Sequence, residues 1–102
     1  MEVKIPFKEQ FRDAMVSGKK TWTSRTKPYG TDGDVFVVFG KVFQLTEVSK
    51  KSLWIVADNY RKEGFDCRED FIDAWEEIHP NKGYDCFQVV WVHQFKLLGN
   101  KP

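Results

Sequence analysis

The sequence predicts an α+β fold: a small barrel or strongly curved sheet of about five strands with about three helices beside it. The expectation rests on apolar residues that alternate or run continuously in several short segments and take helical spacing in others. Gly or Pro punctuates most changes of period. With 102 residues, 41% hydrophobic and 16% aromatic, the chain has apolar surface for one core and reads as a single domain over residues 1–102.

Val3 and Ile5 alternate with charged residues, which predicts a short strand over Glu2–Ile5 until Pro6 interrupts it. Phe7, Phe11, Ala14 and Met15 keep helical spacing across Phe7–Ser17, and Gly18 is placed to end that helix with a left-handed cap. The β-branched and aromatic content of Thr21–Arg25 favours a strand. Pro28, Gly30 and Gly33 make Lys27–Gly33 a loop. Val35–Phe39 is an apolar run suited to a strand buried on both faces, turning at Gly40-Lys41 into a partner over Val42–Val48.

From Ser52 to Glu63 the residues Leu53, Val56, Ala57 and Tyr60 trace a helical face, with Gly64 as the stop. Asp66 and Glu69 resemble a capping box that opens a second helix bearing Phe71, Ile72, Trp75 and Ile78 and ending before Pro80. Cys86–Leu98 is a long strand with two largely apolar faces, a length that commonly bends around a core. Trp22, Trp75 and Trp91 each lie on an apolar stripe or strand face and are assigned to the core.

No apolar stretch approaches the roughly 18 residues of a membrane span, and the amino terminus lacks a basic segment followed by an apolar one. A cytosolic monomer with no membrane partner is the expectation. Cys67 and Cys86 lack CxxC spacing and read as reduced structural thiols, although Cys67, near a helix start, is placed for a lowered pKa. His79 and His93 have no metal-ligand company and are given structural roles, so neither a metal nor another cofactor is expected. The net charge is +1, but Ala14–Thr31 contains no acid and holds Lys19, Lys20, Arg25 and Lys27, whereas acids gather from Glu63 to Glu77. These are either ordinary solvated faces or a dipole that steers an anionic ligand.

The segment Gly18-Lys19-Lys20-Thr21-Trp22-Thr23-Ser24-Arg25 carries the most chemistry. Strand alternation puts Thr21, Thr23 and Arg25 on one face and Trp22 and Ser24 on the other. A hydroxyl two residues from a guanidinium suits a polar ligand, with Arg25 contacting phosphate or a planar base. Lys20 adds charge or, if desolvated, acts as a base. A strand edge guarded by solvated charges is the alternative. Glu63, in the last turn of its helix, faces the negative end of the dipole, a position unfavourable by about 0.3 to 1 kcal/mol. Either a ligand-binding or catalytic role, or an ion pair with Arg61, Lys62 or Arg25, accounts for it.

This segment resembles the GxKTxTxR signature of the ASCH family of the PUA-like superfamily. Gly33-Asp34-Val35-Phe36, then Glu63-Gly64-Phe65, a helix with Trp75 ending at His79-Pro80, and a closing strand over Phe87–Phe95 follow in the family's order, so the resemblance covers nearly the whole chain. It implies a PUA-like β-barrel with a cleft beside the Lys-Thr strand and binding of RNA or a nucleoside. Some short single-domain members are similar to N4-acetylcytidine amidohydrolase; carried over by motif, its lysine, threonine and glutamate fall on Lys20, Thr23 and Glu63. Trp22 and Ser24 depart from the smaller and aliphatic residues of the motif, and by parity both belong on the core side of the strand.

These residues leave two functions open and a third behind them. As a binding domain, the cleft holds single-stranded RNA or a modified nucleoside, with Lys19, Lys20, Arg25 and Lys27 near phosphates and Tyr29 or Trp54 stacking on bases. As an amidohydrolase, Lys20 polarises or deprotonates, Thr23 attacks or positions water, and Glu63 moves a proton. A scaffold domain without a small ligand is the third.

Overall fold

In the computed structural model, which describes residues 1–102, the long closing segment organises the sheet. It forms β4 (Val89–Asn100), which lies between β1 (Trp22–Arg25) and β3 (Lys41–Ser52), while β2 (Val35–Val38) pairs with the far side of β3. The order β1-β4-β3-β2 is antiparallel throughout. The β3–β4 ladder runs from Lys41 opposite Asn100 to Ser52 opposite Val89, with register shifts at Val42/Phe43 and Leu45/Glu47. Such irregularities sharpen the local twist, and the sheet curls into a half-barrel rather than closing.

Four strands, not five, make the sheet. The predicted strand at Glu2–Ile5 is reduced to one parallel bridge between Glu2 and Val35, held by the Val3 N–H to the Val35 carbonyl at 2.7 Å. Pro6 then ends any further pairing because it has no N–H to give. The β2–β3 turn falls on Phe39 (φ 57°) and Gly40 (φ 70°), one residue earlier than predicted, so both central residues take the left-handed conformation that suits a two-residue hairpin.

The first two helices are shorter than their apolar periods. A 3-10 turn at Glu9–Phe11 leads into α1 (Arg12–Val16); Lys8 before it makes no side-chain cap, and Phe7 is drawn onto the sheet, its ring stacked on Phe36 at 5.7 Å. α2 (Leu53–Asp58) stops at Asn59, whose side-chain amide takes the Ile55 carbonyl at 2.8 Å, and Asn59–Gly64 continue as turns. α3 (Arg68–Ile78) has Cys67 rather than Asp66 as its N-cap and no side-chain cap bond, because Asp66 pairs with Lys19 Nζ at 2.7 Å.

The core divides in two. Trp22, Leu53, Val56, Phe71, Trp75, Val90 and Val92 pack where α2 and α3 meet the sheet, and Ile5, Met15, Phe36, Phe43, Leu45 and Phe95 pack beneath the amino-terminal arm. Trp22 and Trp75 are buried as expected, but Trp91 is not: Val90 and Val92 take the core side of β4, leaving Trp91 half-exposed with the Lys50 ammonium 4.9 Å above its ring.

His93 lies opposite Thr23 on β4 and is fully buried. Its Nε2 accepts the Tyr29 N–H at 3.0 Å, so the ring proton sits on Nδ1, which donates to the Thr23 carbonyl at 3.2 Å. Burial pulls its pKa below the ordinary 6.5; the bond to Thr23 opposes this and the Arg25 charge assists it. A lowered folded pKa means that the unfolded chain binds the extra proton first. This contribution to stability is therefore complete above about pH 6.5 and lost as pH falls through the lower folded value. Urea unfolding of the parent and of His93→Gln at stepped pH should show a loss of stability below pH 6.5 in the parent that the variant lacks; parallel profiles would contradict this account.

Candidate functional site

The site is assembled where two chain reversals touch. Gly18, at φ 83°, ends the α1 segment and sends the chain back so that the Lys20 N–H bonds the Ala14 carbonyl at 2.8 Å. The turns after α2 are drawn against the start of β1 by the Thr21 and Trp22 N–H groups, which share the Lys62 carbonyl at 2.8 and 2.9 Å. Gly64 completes the contact. Its φ is 94°, and a Cβ there would stand 3.0 Å from Lys20 Cβ and 3.3 Å from Ala14 Cβ.

That approach sets Glu63 on Lys20. Lys20 Nζ donates to the Glu63 carbonyl at 3.0 Å and to Glu63 Oε1 at 3.2 Å, while Ser24 Oγ donates to Glu63 Oε2 at 2.8 Å. Lys20 is 3% exposed and Glu63 4% exposed. Burial pulls the Lys20 pKa below 10.5, with the Glu63 carboxylate pushing it back only in part. The Lys20 ammonium also lies 4.9 Å from the Phe11 ring centroid. Of its three N–H groups, Glu63 takes two, and one is left for a ligand.

Glu63 thus sits in the turns beyond α2, not in the last turn of a helix, and its partner is Lys20 rather than Arg61, Lys62 or Arg25. Ser24 is the residue that sequence reasoning missed. Parity correctly put it opposite Thr23 and Arg25, but that side of the strand meets the Glu63 carboxylate as well as the apolar core. The available signal was a hydroxyl on a face expected to be apolar, since a buried polar group needs a partner.

Arg25 forms the other half of the floor. Its Nε–H donates to Thr23 Oγ1 at 3.1 Å and its Nη2 to the Pro6 carbonyl at 2.6 Å, and the guanidinium lies 4.9 Å from the Phe7 ring centroid and 5.7 Å from that of Tyr29. The Thr23 oxygen accepts from Arg25, so its own proton remains to be given. Above these groups opens a cleft of about 420 Å³, within the range of small-molecule sites. Phe7, Phe11 and Tyr29, packed on one core cluster, and Phe65, Phe71 and Trp75, of the other, line it together, with the Phe11 and Phe65 rings edge to face at 6.2 Å where the clusters meet. The cleft is the seam between the two cores.

Lys20, Thr23, Arg25, Glu63 and Tyr29 all line this seam. Lys19 and Lys27 do not: Lys19 is tied to Asp66, and exposed Lys27 stands 5.3 Å over the outer Tyr29 ring. Trp54 is 44% exposed on α2, away from the lining. His79 joins the rim, its ring stacked on Trp75 at 4.2 Å. The buried Trp75 indole N–H has no acceptor in the protein. The Cys67 thiol is not activated: the Asp70 backbone bond lowers its pKa, but desolvation and the Asp70 and Glu69 carboxylates together raise it. No group of three or more His, Cys, Asp and Glu residues is placed to hold a metal ion, and no helix is long and apolar enough to cross a membrane.

No family model and no curated protein matches the chain. Among solved structures it is similar to an ASCH domain from Lactobacillus crispatus JV V101, with a TM-score of 0.67 and 15% identity over 97% of this chain and 80% of that one. Protein EF3133 from Enterococcus faecalis V583, of the DUF984 family, superposes with a TM-score of 0.65 and 16% identity over 90% of this chain and 72% of that one. Hypothetical protein PH0355 gives a TM-score of 0.74 and 12% identity over 96% of this chain and all of its own. At such identities the likeness concerns the fold, and the fold is ASCH-like.

Removing one member of the buried pair should cost more than removing both. Glu63→Leu leaves an ammonium without its counter-charge and is expected to destabilise by about 3 to 5 kcal/mol, whereas Lys20→Met with Glu63→Leu should regain most of that loss. A double-mutant cycle by chemical denaturation checks this, and additive losses would contradict it.

Proposed function

We propose that this ASCH-like domain binds a nucleobase in the seam between its two cores, either as a free nucleoside or as an unstacked nucleotide of single-stranded RNA. The observation that carries the reading is the set of donors left over after the protein has satisfied itself. One Lys20 N–H, the Thr23 hydroxyl proton and the remaining Arg25 N–H groups border a cleft with aromatic walls. Stacking suits any planar base, and donors to its carbonyl or ring nitrogen fix its orientation. Exposed Lys27, outside the lining, reaches for the phosphates of a longer strand, and Lys19 joins it by exchanging its exposed pair with Asp66 for a phosphate. One chain supplies every group, so a monomer suffices.

A second reading, hydrolysis of a modified cytidine such as N4-acetylcytidine, is favoured by one further observation: an ammonium, a carboxylate and the Ser24 hydroxyl meet in the same buried corner. There Lys20 would polarise the acyl oxygen, Glu63 would carry a proton, and a hydroxyl or water would attack the acyl carbon. Cleavage of the C–N bond would release the amine and a carboxylic acid.

Titration calorimetry with cytidine, N4-acetylcytidine and a short single-stranded RNA tests the first reading. Thr23→Val should weaken nucleoside binding about fivefold or more, the loss of one hydrogen bond. Lys19→Ala and Lys27→Ala should weaken only the RNA and flatten its salt dependence. Absence of binding by a folded parent would overturn the proposal. Chromatography of N4-acetylcytidine incubated with the protein decides the second reading by the appearance of cytidine.

A further inference from the structure

We infer that Ser24, and not Thr23, is the hydroxyl poised for acyl transfer in this chain. The inference rests on the hydrolytic reading above and deepens it. Two neighbouring hydroxyls border the cleft, and their surroundings are opposite in kind. Ser24 Oγ donates to Glu63 Oε2 at 2.8 Å, so its proton already points at a carboxylate that can take it. Thr23 Oγ1 instead accepts from the Arg25 Nε–H at 3.1 Å. A guanidinium only donates, so it occupies one of the two Thr23 lone pairs and cannot take the hydroxyl proton. No carboxylate is hydrogen-bonded to Thr23 to take its proton, whereas Glu63 is hydrogen-bonded to Ser24.

Glu63 is held for this task from its other side, since Lys20 fixes both Oε1 and the backbone carbonyl. A base whose rotamer is locked presents Oε2 to Ser24 without reorganisation. The unspent Lys20 N–H belongs to the ammonium paired with that carboxylate and is available to an acyl oxygen brought to Ser24. Thr23 and Arg25 are then left to orient the substrate.

The steps balance without an added reactant beyond water. Ser24 Oγ forms a bond to the acyl carbon as its proton passes to Glu63 Oε2, and the carbonyl electron pair moves onto the oxygen beside Lys20. Collapse breaks the bond to the leaving nitrogen, which receives the proton from Glu63, and leaves an ester on Ser24. Water, giving its proton to Glu63, attacks the ester; the Oγ–acyl bond breaks and Glu63 returns the proton to Ser24. The net change is amide plus water to carboxylic acid plus amine.

A small alkyl fluorophosphonate tests the hydroxyl without depending on the natural substrate, because an activated Oγ displaces fluoride and keeps the phosphonyl group. Peptide mass spectrometry should find one adduct, on Ser24, absent from Ser24→Ala and reduced at least tenfold in Glu63→Gln. If Glu63→Gln fails to fold, Glu63→Asp keeps the test: the shortened carboxylate keeps the charge opposite Lys20 but draws back from Ser24, and the adduct should fall in a protein whose circular dichroism matches the parent. An adduct on Thr23, or none on a folded parent, overturns the inference. Cytidine binding measured on the same sample separates the two levels. Binding without an adduct removes the Ser24 nucleophile and keeps the nucleobase site, whereas an adduct without binding keeps Ser24 and removes the nucleobase.

Discussion

Two opposite charges, Lys20 and Glu63, are almost wholly removed from solvent at the point where the amino-terminal arm, β1 and the turns after α2 converge. Neither charge can be buried alone. An unpaired ammonium or carboxylate in such surroundings would cost several kcal/mol, so each side chain fixes the place of the other and of the backbone that bears it. The requirement propagates outward: Gly64 must be a glycine for the turn to approach Lys20, and Lys62 must offer its carbonyl to β1. A buried pair of this kind adds little stability over an apolar pair of the same volume. On the proposed function, its presence is accounted for by what it offers a ligand at the seam rather than by what it adds to the core.

The sheet explains why there is a seam. β4 runs the length of the molecule and gives Val90 and Val92 to one core cluster and Phe95 to the other, with His93 between them. β1 lies against β4 at that junction, through Thr23 opposite His93 and Ser24 opposite Val92. Because β1 is an edge strand, nothing in the sheet covers its outer side, and the Arg25 and Thr23 side chains face the space between Phe7 and Trp75. The neutral, doubly bonded His93 supports this strand from below by holding the Thr23 carbonyl and the Tyr29 N–H together. Floor, walls and support come from elements far apart in sequence, brought together by one strand.

Much of this was legible in the amino-acid order. Period changes located β1, β2, α3 and β4 to within a few residues, and the Lys-Thr-Arg spacing singled out side chains that do line the cleft. What was not legible depends on contacts remote in sequence. The α2 period continued through Tyr60, yet the Asn59 side chain ended the helix and moved Glu63 into a turn. Ion pairing joined Glu63 to Lys20, 43 residues away, and not to the nearer basic residues. Parity placed Ser24 and Trp22 together; the Glu63 turn then met one of them and the Leu53–Val92 core the other. Phe71 and Trp75 read as an apolar stripe because one face of each does belong to the core, and nothing local marks the face that borders a cleft.

On the proposed function, the Lys20–Glu63 seam, and no other surface, receives the ligand. Mapping amide chemical shifts of ¹⁵N-labelled protein during a cytidine titration tests it most directly. Saturable shifts should concentrate on residues 20–25, 63–65 and 71–79, with Trp54 and Phe87 unmoved. Shifts centred on the exposed Trp54 or Phe87 surface, or none at saturating cytidine, would contradict it.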